Sequence, residues 1–553
     1  MLYPRMLARE HSQDRVHRDE IPMRGAGQRP AASSSLTKGE LNMLARIQSF
    51  GILGIEGYPV TIECDITAGL PMYETVGLPD AAVRESRERV RSALMNSGYL
   101  FPTKRVTLNL APANVRKEGP AFDLPIALAL MAASGQIPGG GFGDLVVMGE
   151  LALDGALRPV QGALPVVIAA REAGMRGVLL PVDNANEGAC VEGIELYPAA
   201  TLAEAVAHLR GERRIEPMPS KPYVPEDGQD SVAGEIALVR GQRMAKRALE
   251  IAAAGGHDLL LIGPPGSGKT MLARCLPSIL PRMTFEEALE ATRIHSVAGM
   301  LTAGQGLLHE RPFRAPHHTA SAPALVGGGT RAVPGEVSRA HGGVLFLDEL
   351  PEFGRAVLET LRQPMEDGFV TVARVGAQVT YPARFMMVGS MNPCPCGHFG
   401  SRQKECRCTQ PEIRRYLQKI SGPLLDRIDM HIEMESIPAE RFLDGAHAEE
   451  TSAAVRARVC SARERQLDRY GSGGIYCNAQ LGAKQLDDPS FLQEDARGLL
   501  RTAASSMDFS TRALTRVIKV ARTIADLAGC DEVSTGHVAE AVQYRALDQK
   551  YWG

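Results

Sequence analysis

The sequence predicts an α/β protein built around a parallel sheet, and three stretches predict it. Leu259-Leu260-Leu261-Ile262 is an apolar run of strand length that opens directly into Gly263-Pro264-Pro265-Gly266-Ser267-Gly268-Lys269-Thr270. Gly343-Val344-Leu345-Phe346-Leu347 is a second such run and ends in two acids, Asp348 and Glu349. From Ile47 to about Arg210, short alternating stretches take turns with helical ones. Strands buried on both faces of a parallel sheet read as continuous apolar runs, whereas half-buried strands alternate.

The octet from Gly263 to Thr270 matches G-x-x-x-x-G-K-[ST]. Its glycines let backbone N–H groups turn onto phosphate oxygens, while Lys269 reaches the β/γ-phosphates and Thr270 ligates Mg²⁺. Helix-forming Met271-Leu272-Ala273-Arg274 follows, so the phosphates would sit at a helix N-terminus. ATP with Mg²⁺ is therefore the expected nucleotide and metal. Asp348 is expected to hold Mg²⁺ through water beside Thr270, and Glu349 to orient and polarise the attacking water. A third strand, residues 384–390, ends at Met391-Asn392. Ligands of open α/β sheets bind beyond the carboxyl ends of the strands, which places Asn392 near the γ-phosphate.

Composition bounds the partners. The 553 residues are 44% hydrophobic and 23% charged with a formal net charge of -3, so nucleic-acid binding would need a local basic stripe. No apolar run approaches the roughly 18 residues of a membrane span, and no apolar leader is present; a cytoplasmic protein with no membrane partner is expected. Four of the ten cysteines crowd between Cys394 and Cys408. In a cytosolic ATPase such crowding points to metal rather than disulfides.

In chain order, residues 1–42 are polar, unpatterned and expected to be disordered, with Met43 the expected natural start. An α/β domain is expected over 43–211, with a strand at 60–66, a helix beginning at Pro79-Asp80 and a strand at 105–110. Residues 212–233 suit a linker. A helix over 242–254, stopped by Gly255-Gly256, leads into a nucleotide-binding core spanning 234–435. Residues 436–553 are expected to be helical, with Leu514, Val517, Ile518 and Ala521 at helical spacing and Gly529 as a stop.

Two stretches of the front domain, Lys117-Glu118-Gly119-Pro120-Ala121 and residues 149–160, resemble the proteolytic domain of Lon proteases, a ribosomal-S5-like α/β fold. That family uses a Ser–Lys dyad. Here Ala121 stands at the Ser position and Leu164 at the Lys position, so peptide hydrolysis has neither nucleophile nor base. The resemblance implies a catalytically inactive platform for assembly or partner binding. The set Lys269/Thr270, Asp348/Glu349 and Asn392 resembles an AAA+ motor. Arg311-Pro312-Phe313-Arg314-Ala315-Pro316-His317-His318, Pro334-Gly335-Glu336, residues 340–349 and residues 421–429 narrow the resemblance to the magnesium-chelatase-like branch. With the front domain and the cysteines, 43–553 is similar to the YifB/ComM family.

The resemblance implies further roles. Arg427 matches the arginine finger that reaches the γ-phosphate held by the neighbouring subunit, which implies a homohexameric ring, and Arg512 matches the second sensor on a helical lid. Read from residues alone, an intrachain pair of Arg427 with Asp426 or Asp429 stays equally open. The segment of about 295–340 would contain the insert within helix 2 that points into the pore, with Arg314, Arg331 and Arg339 available for phosphate contacts. His317 and His318 are expected to position that insert rather than bind metal. Residues 368–381 have two β-rich arms about Gly376 and resemble the pre-sensor-1 hairpin, whose tip Arg374 would track a nucleic-acid backbone; a purely structural hairpin is the alternative.

Cys394, Cys396, Cys406 and Cys408 form two C-x-C pairs that favour structural Zn²⁺ over free thiols. Arg456, Arg458, Arg463, Arg465 and Arg469 read as a solvated face. The resemblance implies a hexameric ATPase acting on branched or single-stranded DNA, as a helicase or branch-migration factor in recombination or natural transformation. The alternatives are a chelatase-like motor, against which no D-x-S-x-S motif is found, and a protein-remodelling ATPase.

Overall fold

The computed structural model describes residues 44–139, 142–225, 234–329, 332–374, 377–401, 404–436, 449–471, 475–486 and 491–552. The expected N-terminal extension and start at Met43, Arg331, Gly376 and the side chain of Arg374 lie outside the described residues.

The front of the chain forms strands β1 (Ala45–Leu53), β2 (Glu56–Thr67), β3 (Met72–Val76), β4 (Arg105–Ala111) and β5 (Leu145–Val147), then a small hairpin of β6 (Glu150–Leu151) and β7 (Leu157–Arg158), then β8 (Gly177–Pro181) and β9 (Glu195–Ala199). A seven-stranded sheet runs β3-β4-β2-β1-β5-β8-β9. In β2 the expected alternation is visible: Val60, Ile62 and Cys64 are fully buried while their neighbours are not. The helix Asp123–Ala133 is buried along its whole length, which its apolar residues after Asp123 allow, while the Asp123 carboxylate is forked by Arg89 at 2.7 and 2.9 Å. The expected helix near residue 80 runs Ala81–Asn96, and Asp80 caps it by accepting from the Val83 N–H at 2.8 Å.

The second sheet is parallel throughout. It comprises β10 (Leu259–Ile262), β11 (Phe313–Arg314), β14 (Val344–Leu347), β17 (Met386–Met391) and β18 (Met430–Glu433), in the order β11-β14-β17-β10-β18. Every residue of β10, β14 and β17 is buried, as the unbroken apolar runs of β10 and β14 require, and the Ser390 hydroxyl of β17 is satisfied by Asp348. The helix Arg243–Gly255 precedes β10 and ends at Gly256, whose φ of 73° closes it in the left-handed region. The C-terminal part is helical, with long helices Ser452–Tyr470, Glu494–Ser506 and Thr511–Leu527. Among the described residues no helix is long and apolar enough to cross a membrane.

Between β11 and β14, short helices Ala322–Val326 and Glu336–Arg339 are separated by a two-stranded excursion, β12 (Gly327–Gly328) against β13 (Val333–Pro334). A second hairpin, β15 (Phe369–Arg374) against β16 (Ala377–Pro382), sits where the sequence predicts one. The base of the second hairpin is tied to the loop of the first, where the Tyr381 hydroxyl donates to the Ala332 carbonyl at 2.6 Å. The front sheet also reaches this region: the turn at Gly54 lies against Val379 of β16, and the Arg293 guanidinium donates to the Ile55 carbonyl at 2.9 Å. Part of the expected linker is pinned rather than loose. Its Met218 N–H bonds the Leu196 carbonyl at 2.8 Å and its Lys221 N–H bonds the Ala189 carbonyl at 2.9 Å.

The edge strand β11 is held by close backbone approach. The Val344 N–H donates to the Pro312 carbonyl at 2.8 Å, and a Cβ on Gly343 would fall 2.0 Å from that oxygen. Gly343→Ala should therefore push β11 off β14 and destabilise the chain by roughly 1–3 kcal/mol, seen as a lower melting temperature. An unchanged melting temperature would contradict this close packing.

Candidate nucleotide site

Strand register brings the predicted motifs to one end of the parallel sheet. Ile262 stands opposite Met391, and Leu347 opposite Gly389, so the loops leaving β10, β14 and β17 emerge side by side. The Gly263 N–H is bonded to the Met391 carbonyl at 3.1 Å, which fixes the start of the glycine-rich loop. Gly266 and Gly268 then take φ values of 79° and 89°, the left-handed turns that glycine makes at least cost.

Within this cleft the Lys269 ammonium donates to the carbonyls of Gly263 at 2.7 Å and Pro264 at 3.0 Å and to Asn392 Oδ1 at 3.2 Å. Thr270 Oγ1 donates to Asp348 Oδ2 at 2.9 Å, and the Ser390 hydroxyl donates to the other oxygen of the same carboxylate. Glu349, exposed and with a φ of 53°, has an oxygen 3.5 Å from His318 Nδ1. Burial lowers the Lys269 pKa to about 8, against the pull of Asp348 and Glu349. The site thus gathers a cation, a hydroxyl beside a carboxylate and a second, exposed carboxylate, the parts that phosphoryl chemistry uses.

Arg427 and Arg512 are brought together elsewhere, on Glu366 of the helix Arg362–Asp367. Arg427, only 4% exposed, donates to the Pro423 carbonyl at 2.6 Å and lies 2.7 Å from Glu366 Oε1. Arg512 reaches the same oxygen at 3.5 Å. The intrachain alternative for Arg427 thus exists, but with neither Asp426 nor Asp429. Asp429 is taken by His257 Nδ1 at 3.0 Å and by Arg516. Burial alone would raise the Asp429 carboxyl, yet Arg516 and His257 hold it well below the usual range. Burial and the Asp429 charge push neighbouring Asp258 up to about 8.

The insert arginines differ from expectation. Arg314 forks onto Glu336 at 2.7 and 3.0 Å, and Arg339 joins the same carboxylate at 3.0 Å, so both are spent on folding the insert. His317 bonds Thr319 at 2.9 Å, whereas His318 faces Glu349. The basic helix face is also largely paired: Arg458 with Glu250 and Glu450, Arg465 with Asp531, and Arg469 with Asp526.

The four cluster cysteines converge, with their sulfurs all within 4.8 Å of one another, a spacing that fits one tetrahedral ion. Burial works against ionising Cys396, but the backbone N–H groups of Arg407 and His398 bring its pKa down to about 6. Its neighbour Gly397 packs on the phosphate loop, where a Cβ would meet Pro265 at 2.5 Å. Sequence reasoning missed Ser390, Glu366, the approach of His318 to Glu349, and Gln242, whose amide donates to the Ser267 carbonyl at 3.2 Å. Ser390 stands inside a stretch singled out for Asn392, and His318 is expected to position the insert rather than to face Glu349; Gln242 and Glu366 carry no local signal.

A parallel β11-β14-β17-β10-β18 sheet with a glycine-rich loop after β10 and an acid pair after β14 defines an AAA+-type ATPase. Residues 235–442 match the family described as magnesium chelatase, subunit ChlI, residues 62–184 match subunit ChlI of Mg-chelatase, and residues 449–545 match the ChlI C-terminal family. The chain is 44% identical over 506 residues to YifB of Salmonella typhimurium, covering 92% of this chain and 98% of that one. It is 43% identical over 511 residues to competence protein ComM of Haemophilus influenzae, covering 91% and 98%. The magnesium-chelatase 67 kDa subunit of Chlorobaculum parvum is 31% identical over 160 residues, 28% of this chain and 22% of that one. The chain belongs to the YifB/ComM family of magnesium-chelatase-like AAA+ proteins.

Burial lowers the Lys269 pKa to about 8, so part of it is uncharged near pH 8, and an anion bound against it would favour the charged form. Triphosphate binding at pH 8 should take up about half a proton, and affinity should fall as pH rises further. Calorimetry in buffers of different ionisation enthalpy reads this uptake. Lys269→Arg should abolish it; equal uptake in that variant would place the titrating group elsewhere.

Proposed function

We propose that this protein is a ring-forming ATP hydrolase whose subunits complete one another's sites and whose work is done on DNA. The observation that carries the hydrolytic part is the meeting of Lys269 with Asn392 and of Thr270 with Asp348 at one end of the sheet. Gly263, Pro264, Pro265, Gly266, Ser267 and Gly268 would wrap the phosphates, and Lys269 would exchange its carbonyl partners for β- and γ-oxygens. Thr270 and Asp348 are the residues that would hold Mg²⁺, which supplies charge neutralisation between β- and γ-phosphates. Glu349 would accept a hydrogen bond from the attacking water and polarise it, while Asn392 would fix the γ-phosphate. Arg427, with Arg512 beside it, would serve the neighbour's triphosphate, as a homohexameric ring of the AAA+ kind allows.

The DNA assignment is supported by the two joined hairpins and by the Haemophilus relative's designation as a competence protein. Since Arg314 and Arg339 are bound to Glu336, contact with a DNA backbone would fall to the two other arginines that the sequence offers in the hairpins, Arg331 and Arg374. Cys394, Cys396, Cys406 and Cys408 would hold a structural Zn²⁺ that braces Gly397 against Pro265 of the phosphate loop. The front sheet, Lon-like but with Ala121 and Leu164 in place of a dyad, would act as a platform in a cytoplasmic assembly.

ATP turnover measured with and without forked and four-way DNA, alongside branch migration, tests the proposal. Turnover should rise with DNA in the wild type and vanish in Lys269→Ala. Arg427→Ala should lose about 10³-fold or more, the usual worth of such a finger. Turnover indifferent to every DNA form would move the reading to a protein client. Elemental analysis should find one zinc per chain, lost in Cys396→Ser; zinc-free protein would refute the metal site.

A further inference from the structure

Two cations in one chain share a single oxygen. Arg427 Nη2 lies 2.7 Å and Arg512 Nη2 3.5 Å from the same atom, Glu366 Oε1, although the two residues come from different elements. Arg427 precedes β18, whereas Arg512 begins the helix Thr511–Leu527. Two guanidiniums held this close repel unless an anion stands between them. Arg427 itself is nearly buried, and its Nε–H has no partner among the described residues. Glu366 is 43% exposed on its side chain, so the anion can leave without unfolding anything around it. Arg427 and Arg512 lower the Glu366 pKa against the effect of its partial burial, so it carries its charge through the neutral range.

A guanidinium does not distinguish sharply between a carboxylate and a phosphate; both accept from its planar fork. One oxygen bridging two guanidiniums is the arrangement that a terminal phosphate oxygen would take. We propose that Glu366 is a place-holder for the neighbouring subunit's γ-phosphate: it keeps Arg427 and Arg512 together in the free protomer and competes with the phosphate for them when subunits meet. Glu366 is a positioning residue and touches no substrate. This rests on the trans reading of Arg427 given above. Its consequence is regulatory. Nucleotide in the neighbour must displace an internal carboxylate before the two cations engage, which sets the threshold at which ATP closes the ring.

The test compares the full-length wild type with Glu366→Gln and Glu366→Asp. The amide keeps the shape and removes the charge; the aspartate keeps the charge. Two quantities are read: the concentration of a non-hydrolysable ATP analogue at which half the protein assembles, and the KM for ATP separately from kcat. For Glu366→Gln, both the assembly midpoint and KM should fall about fivefold, the worth of one partly exposed ion pair, with KM moving more than kcat. Glu366→Asp should stay near wild type. A midpoint and KM that are unmoved or raised in Glu366→Gln overturn the proposal, as does a lower melting temperature without a shift in KM, which marks a merely structural pair. Arg427→Ala in the same titration separates the two readings. If it keeps wild-type turnover, the trans site fails and the place-holder with it. If it loses turnover while Glu366→Gln leaves KM unmoved, only the place-holder fails.

Discussion

The hydrogen bond from Thr270 to Asp348, 2.9 Å long, joins residues 78 apart in sequence and needs β10 and β14 to end within two residues of one level across the strand between them. That levelness comes from the parallel register of β10, β17 and β14 and from the complete burial of their side chains. In a parallel sheet the carboxyl ends all face one way, so polar residues placed just after each apolar run are delivered to one cleft without further design. Lys269, Thr270, Asp348, Glu349 and Asn392 each follow this rule. A one-residue slip of β14 or β17 would turn that strand's side chains to the other face of the sheet and carry Asp348 or Asn392 out of line with the glycine-rich loop.

A second constraint joins the helical part to the core. Asp429, nearly fully buried, receives His257 from the entry to β10 and Arg516 from the helix that also carries Arg512. A buried carboxylate is stable only when so paired, which makes the position of that helix dependent on the segment containing Arg427. Arg427 and Arg512 consequently arrive at Glu366 as a set. The cysteine loop adds a third tie by leaning Gly397 on Pro265. Phosphate loop, cysteine cluster and arginine pair are thus mechanically connected through short contacts rather than through one long element.

Much of this was legible in the sequence, for physical reasons that can be named. Continuous apolar runs identify β10, β14 and β17, because only doubly buried strands have that composition. The phosphate loop reads from glycine spacing, and the cysteine cluster from crowding. What was not legible depends on partners distant in sequence. Nothing in the Arg427 stretch indicates that its partner would be Glu366, 61 residues earlier, rather than adjacent Asp426. Arg314 and Arg339 looked available because Glu336 between them was read as part of a motif rather than as their acceptor. Gln242 was read as the opening of a helix, yet its side chain reaches the phosphate loop. Long polar side chains choose among many acceptors at similar energy, and only the folded geometry decides.

The central claim is that one protomer holds the triphosphate while another supplies the arginines. Mixing Lys269→Ala protein, whose Arg427 is intact, with Arg427→Ala protein, whose phosphate loop is intact, tests it most directly. Shared sites predict that two preparations with negligible turnover recover ATP hydrolysis when combined, in proportion to mixed rings formed. A mixture no more active than its components, or an Arg427→Ala protein that hydrolyses ATP at full rate as a monomer, would contradict the account.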